Sequence, residues 1–235
     1  MKINLLFEQS GTFKKSLREM GNEAKDIDIS NAYNETDILI DIFDILDSYI
    51  SGDTNISKSE IFNADLIIAF FPCTYFSQYN ELMLSGKWRN YKYMSNDKKK
   101  MYMFNRKVVQ NLYCDRLKAL IEICKENKTP LIIENPVSPF MTSFINYNNI
   151  NYVKHVRNKY GDNMRKPTYY LLFNGVYIEP LDKIETPITR TVEKLRDKKG
   201  NATRSLIHPN YSNNFCKHIK LSGEITHERF NWNDI

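Results

Sequence analysis

The chain has 235 residues, 26% of them charged, with 33 Lys and Arg against 28 Asp and Glu for a formal net charge of +5. That length suits one α/β domain with a sizeable core and leaves two full domains cramped, so residues 1–235 are expected to form a single domain. No apolar run approaches the roughly 20 residues that span a bilayer, the N-terminal run is short for a signal sequence, and the four cysteines include no Cys-x-x-Cys pair, which together predict a cytoplasmic protein in a reducing compartment.

The N-terminal run Ile3-Asn4-Leu5-Leu6-Phe7 reads as a buried strand, with a turn at Gly11, a helix over 12–20 and a stop at Gly21. A second short strand ends at Asp28, a third covers 38–42, and a fourth is the apolar run 66–70. Residues 77–107 follow as a loop in which Lys87, Arg89, Lys92, Lys98, Lys99, Lys100, Arg106 and Lys107 interleave with Trp88, Tyr91, Tyr93 and Tyr102. Cations mixed with aromatics suit a phosphate backbone and exposed bases; a solvated charged surface has the same composition.

Apolar residues at three- and four-residue intervals, from Phe104 through Val108, Leu112, Leu117, Leu120 and Ile121 to Cys124, predict one amphipathic helix over 104–126, with Cys114 and Cys124 on its buried side. Pro130 stands just beyond it, and Leu131-Ile132-Ile133 forms the next buried strand. Weaker patterns predict strands at 150–156 and 168–173 and a last helix over 212–220. Strands alternating with helices imply βαβ units and an α/β fold with a mainly parallel sheet. Such sheets bind ligands at the carboxyl ends of their strands, where Glu8, Asp28, Asp41, Cys73 and Glu134 all fall.

Cys73, in a polar loop, is placed to act as a thiolate nucleophile. Added to carbon 6 of a pyrimidine, a thiolate makes carbon 5 nucleophilic, provided a carboxyl such as that of Glu134 stabilises nitrogen 3. Each residue alone also reads as an ordinary loop cysteine or a capping carboxylate. His155, His208, His218 and His227 lack metal-ligand spacing and read as surface or capping residues.

Phe71-Pro72-Cys73-Thr74 resembles the Pro-Cys loop of cytosine-carbon-5 DNA methyltransferases, and Ile133-Glu134-Asn135-Pro136 is similar to their Glu-Asn-Val or Glu-Asn-Pro segment, most closely in the small, phage-associated branch. Phe7-Glu8-Gln9-Ser10-Gly11 matches the Glu-x-Ser-Gly turn of that branch. The run from Tyr160 through Met164-Arg165-Lys166-Pro167 resembles the segment with a base-contacting arginine, and Thr203-Arg204-Ser205 begins a stretch similar to that before the last core helix.

The resemblance implies a Rossmann-like fold dependent on S-adenosyl-L-methionine, acting on a flipped or single-stranded cytosine of DNA. It implies Cys73 as nucleophile, Glu134 as partner at nitrogen 3 and Arg165 as a clamp on the base. Phe7, Glu8, Ser10, Gly11 and Pro72 would line the cofactor, Asp28 would hold its ribose hydroxyls and Asp41 its adenine amine. Lys87, Arg89, Lys92, Lys98, Lys99 and Lys100 would meet nucleic acid, in a mobile loop that closes over the extruded base. The glycine fingerprint is reduced to Gly11, the second arginine of the family's Gln-x-Arg-x-Arg segment is unmatched, and the insert over 175–203 is short for a target-recognition region. Relaxed specificity, a short recognition sequence or a specificity-supplying protein partner would follow. Asn, Lys and Ile are abundant, as in a low-GC phage or its bacterial host. The rival readings are a methyltransferase-like module that only binds nucleic acid, the cofactor or a host defence protein, and an adenine amino-methyltransferase, which would need a second proline and an aromatic after Asn135-Pro136.

Overall fold

The computed structural model describes residues 1–53, 55–56, 59–189 and 206–222. Strands β1 (Lys2–Leu6), β2 (Glu23–Asp28), β3 (Ile38–Leu39), β4 (Leu66–Ala69), β5 (Leu131–Pro136), β6 (Tyr152–Val156) and β7 (Pro167–Phe173) form one sheet. Its order is β3-β2-β1-β4-β5-β7-β6, parallel from β3 to β5, with β7 antiparallel to both its neighbours. β4 is buried along its whole length, which explains its unbroken apolar sequence, since a parallel strand covered on both faces has no solvent side to alternate toward.

Helices cover both faces. α2 (Ile42–Ile50), α4 (Asn96–Glu126) and α5 (Pro139–Tyr147) pack on one side through Leu46, Leu117, Leu120, Ile121 and Phe144 against Leu6, Ile67, Ile133 and Leu171. On the other side α1 (Thr12–Glu19) and α6 (Pro209–Lys217) pack through Phe13, Leu17, Tyr211 and Phe215 against Ile3, Leu5, Ile68, Ile132 and Tyr170. A separate pair, β8 (Val176–Ile178) and β9 (Ile219–Leu221), lies antiparallel. This is an α/β fold with a mostly parallel central sheet flanked by helices, compatible with a Rossmann-like methyltransferase fold. Among the described residues no helix is long and apolar enough to cross a membrane.

Several expectations need correction. The third strand stops at Leu39, because Asp41 accepts a hydrogen bond from the Phe43 backbone N–H (2.8 Å) and caps α2. Residues 77–107 are largely helical: α3 (Gln78–Leu84), a 3-10 turn (Arg89–Tyr93) and the start of α4. Ser77 caps α3 and Ser95 caps α4 through their side-chain oxygens, so the helix begins eight residues before Phe104. Phe104, Val108 and Leu112 are exposed, although Cys114 and Cys124 are buried as expected. α6 starts at Pro209, whose missing N–H suits a first helical position, and His208 caps it. His155 is neither a surface nor a capping residue: it is buried, with Nδ1 2.9 Å from the Tyr211 hydroxyl.

Residues 175–189 of the insert contribute β8 and then run beside residues 158–163, where Ile184 donates to the Lys159 carbonyl and Thr189 to that of Asn163. Residues 190–203, and the Thr203-Arg204-Ser205 motif, lie outside the described residues, as does His227.

Candidate active site at the carboxyl edge of the sheet

β1 ends in a tight turn. Phe7 adopts φ 60° and Gly11 φ 68°, and a Cβ on Gly11 would come within 2.6 Å of the Glu35 carboxylate, so only glycine fits there. Glu8 is buried and turns back on its own loop, where its carboxylate accepts from Gly11 N–H (2.7 Å), Ser10 N–H (3.2 Å) and the Ser10 hydroxyl (2.5 Å). These bonds shape the loop, and the carboxylate also lies beside that of Asp26 on β2. At the end of β2, Asp28 is also buried; Gln9 Nε2 (3.2 Å) and Ser30 N–H (2.7 Å) both donate to Oδ1, so Oδ2 takes no hydrogen bond among the described residues. Burial raises the Asp28 pKa, and the charges of Glu8 and Asp41 push the same way. The carboxylates after β1, β2 and β3 therefore share one electrostatic neighbourhood. An acceptor with a spare oxygen at a strand end suits the paired hydroxyls of a ribose.

The two central motifs follow adjacent parallel strands, β4 and β5, which pair with Ala69 opposite Ile133. Asn135 Nδ2 donates to the Phe71 carbonyl at 3.0 Å, joining the Glu134-Asn135-Pro136 segment directly to the Phe71-Pro72-Cys73 turn. Cys73 and Pro72 are half-buried, and the Cys73 carbonyl accepts from Phe76 N–H. Phe71 anchors the turn in an aromatic cluster, 5.4 Å from Phe7, 5.8 Å from Phe43 and 5.9 Å from Phe76. Because side chains alternate along a strand, Asn135 lies on the α4 face while Glu134 shares the α1 and α6 face with Ile132.

Glu134 is buried and pairs with Lys166, whose Nζ is 3.4 Å from Oε1. Arg165, the predicted clamp, is exposed. The structure thus brings the neighbouring lysine to the carboxylate. Behind Glu134 the fully buried Arg157 pairs with Asp162 and approaches the Leu206 carbonyl (3.4 Å), and Tyr211 hydrogen-bonds Tyr170 (2.9 Å). Arg157, Tyr170 and Tyr211 all feel the Glu134 charge. None of these was singled out from the sequence. Asp162 and Lys166 fell within the run that holds Arg165, and only the Lys166–Glu134 contact shows which of the two basic side chains turns inward.

The basic residues occupy an arm. α4 returns through Pro130 to the start of β5, so its own first turns lie toward the carboxyl edge, and its buried residues begin only at Gln110. The preceding part of α4, roughly 20 Å at 1.5 Å per residue, carries the basic run. Lys87, Arg89, Lys92, Lys98 and Lys100 are exposed, and Lys99 lies over the Tyr91 ring at 5.4 Å. Arg106 holds the arm together: it donates to Asn80 Oδ1 (2.8 Å) and sits over Tyr75 (5.0 Å) and Tyr102 (5.9 Å).

No protein-family model matches the chain, and no curated protein matches it. Among solved structures, a candidate DNA modification methyltransferase encoded within a prophage (E. coli) is similar over 72% of this chain, at 15% identity and a TM-score of 0.37. The chain spans 45% of that protein's length. A likeness of this size carries no argument about what the chain does.

Proposed function

We propose that this protein is a DNA methyltransferase that binds S-adenosyl-L-methionine and methylates carbon 5 of cytosine through Cys73. The observation that supports it best is the link between the two motifs: a Pro-Cys turn and a Glu-Asn-Pro segment at adjacent strand ends, tied by the Asn135 to Phe71 hydrogen bond. Asp28, at the neighbouring end of β2, has the spare oxygen that a ribose diol needs.

In this reading Cys73 Sγ bonds to carbon 6 of the ring, and Glu134 stabilises nitrogen 3 as electron density moves to carbon 5. S-adenosyl-L-methionine supplies the methyl group. Loss of the carbon-5 proton then restores the ring and releases Sγ. Lys166 sets the position of the Glu134 carboxylate, whereas Arg165, expected to clamp the base, is exposed beside it. A base in a duplex is out of reach of a side chain below it, so the cytosine is flipped or single-stranded, and the arm of α3 and α4 carries flanking phosphates on Lys87, Arg89, Lys92 and Lys98–Lys100. The short segment 175–203 leaves sequence choice to few side chains or to a partner protein.

The test is incubation with labelled S-adenosyl-L-methionine and DNA containing 5-fluorocytosine, which cannot lose its carbon-5 substituent. The expected result is a denaturation-resistant protein–DNA adduct that maps to Cys73 and carries label. Cofactor binding without any adduct would overturn the reading and leave the binding-only module.

A further inference from the structure

Helices α3, α4 and α5 enclose an open groove of about 520 Å³. Leu84, Met103 and Phe140 give it apolar walls, and Glu81, Lys107 and Ser143 give it a polar rim. We infer that this groove receives a nucleobase flanking the target cytosine and favours one that carries an exocyclic amine. This rests on the methyltransferase reading above and adds to it a source of sequence preference within α3, α4 and α5.

Position is the first support. The Ser77 hydroxyl caps α3 four residues after Cys73, and the Ser138 hydroxyl caps α5 four residues after Glu134. The groove is therefore walled by the helices that grow directly from the two segments proposed to hold the target ring. Enzymes that act on an extruded base set their context preference through the nucleotides next to it.

Chemistry is the second. A base has two apolar faces and a polar edge, and the volume falls within the 300–1,000 Å³ range usual for small-molecule sites. Phe140 lines the groove and is held in place by the near-parallel rings of Phe76, 4.9 Å away, and Phe144, 6.4 Å away, which fixes an aromatic wall. The Glu81 carboxylate is a pure acceptor, which selects an amino group over a carbonyl. Lys107 is fixed by Gln110 Oε1 (3.0 Å), while Gln110 in turn donates to the Tyr75 carbonyl (2.9 Å). That places one cation at the rim, continuous with the basic arm that would carry the adjoining phosphates.

The test uses the full chain and single-stranded oligonucleotides with 2-aminopurine beside the cytosine, or displaced from it by several nucleotides. Adjacent 2-aminopurine should lose fluorescence at least about twofold on binding, from stacking. Met103→Trp, which fills the groove, should abolish that change. Glu81→Gln, on the rim, should narrow the preference of the 5-fluorocytosine adduct for amine-bearing over amine-free neighbours about tenfold, the worth of one lost polar contact. If adduct forms but neither variant alters quenching or preference, the groove assignment is overturned and the methyltransferase reading stands. If quenching is groove-dependent but no adduct forms in the unaltered protein, the groove stands and the methyl-transfer reading falls.

Discussion

Asp26 is fully buried, with Lys14 Nζ 3.5 Å from its Oδ2 and Glu8 beside it. Burial first, and then the Glu8 charge, pushes its pKa up to about 9, from a value of 3.8 in the unfolded chain. The folded state therefore holds a proton that the unfolded state has lost, and stability falls as pH rises from about 4 to 9. Asp26→Asn keeps the shape without the charge. Urea unfolding should show it gaining at least about 1 kcal/mol on the parent at pH 8, with little difference at pH 4. His155 acts in the opposite sense: burial lowers its pKa to about 4, so protonating the unfolded chain weakens the fold as pH drops below about 6.5. In the Asp26→Asn background, stability should accordingly rise with pH over that lower window and then level. The Arg157–Asp162 pair is fully buried on both sides, so Asp162→Ala strands a guanidinium and should cost about 3–5 kcal/mol in the same assay. Cys73 is only half-buried; Cys73→Ser should leave the unfolding midpoint nearly unchanged while lowering methyl incorporation by about a thousandfold or more.

α4 shows how an element can be read correctly in kind and wrongly in extent. From Gln110 onward its apolar period matches its burial, because there it lies on the sheet. Before Gln110 the same period continues in Met101, Phe104 and Val108, yet these side chains face solvent, since that part of the helix packs with a different face, through Tyr102 on Trp88 and Tyr91 and through Arg106 on Asn80. Sequence spacing cannot tell a stripe covered by the sheet from one that is not. The strands were easier: β4 and the start of β5 are apolar on both faces, which only a sandwiched parallel strand needs. The places of Cys73 and Glu134 were legible for the same reason, since each follows such a run. Lys166 was not, because its contact with Glu134 depends on the pairing of β7 with β5, elements thirty residues apart in the chain. The arm's attachment is itself testable. Arg106 joins α4 to Asn80 on α3 and covers two tyrosine rings, so Arg106→Ala should speed amide exchange over residues 78–93 severalfold and leave β4 and β5 protected.

Across the whole molecule the charges are sorted by side. Glu8, Asp28 and Asp41 gather around the ends of β1, β2 and β3, beside Glu35 and Asp37, which pair with Lys14, Lys15 and Arg18. The cations between Lys87 and Lys107, in the 3-10 turn and the first turns of α4, sit on the arm that grows from the Pro-Cys turn. A modest net charge of +5 conceals this separation, which is why overall composition did not point to nucleic acid. The arrangement fits a polyanion approaching along the arm while a polyhydroxyl ligand with a cationic sulfonium occupies the acidic end. Counterion release makes the first half measurable. If Lys87, Arg89 and Lys92 each neutralise one phosphate of a single strand, changing all three to Gln should reduce the slope of log K against log salt by about 2, since each contact contributes about 0.7. These side chains are exposed and outside the core, so the fold should be unaffected and the loss should grow as salt is lowered. Binding that weakens equally at every salt concentration would mean that the arm acts through its aromatic rings, Trp88, Tyr91 and Tyr102, rather than through its charge.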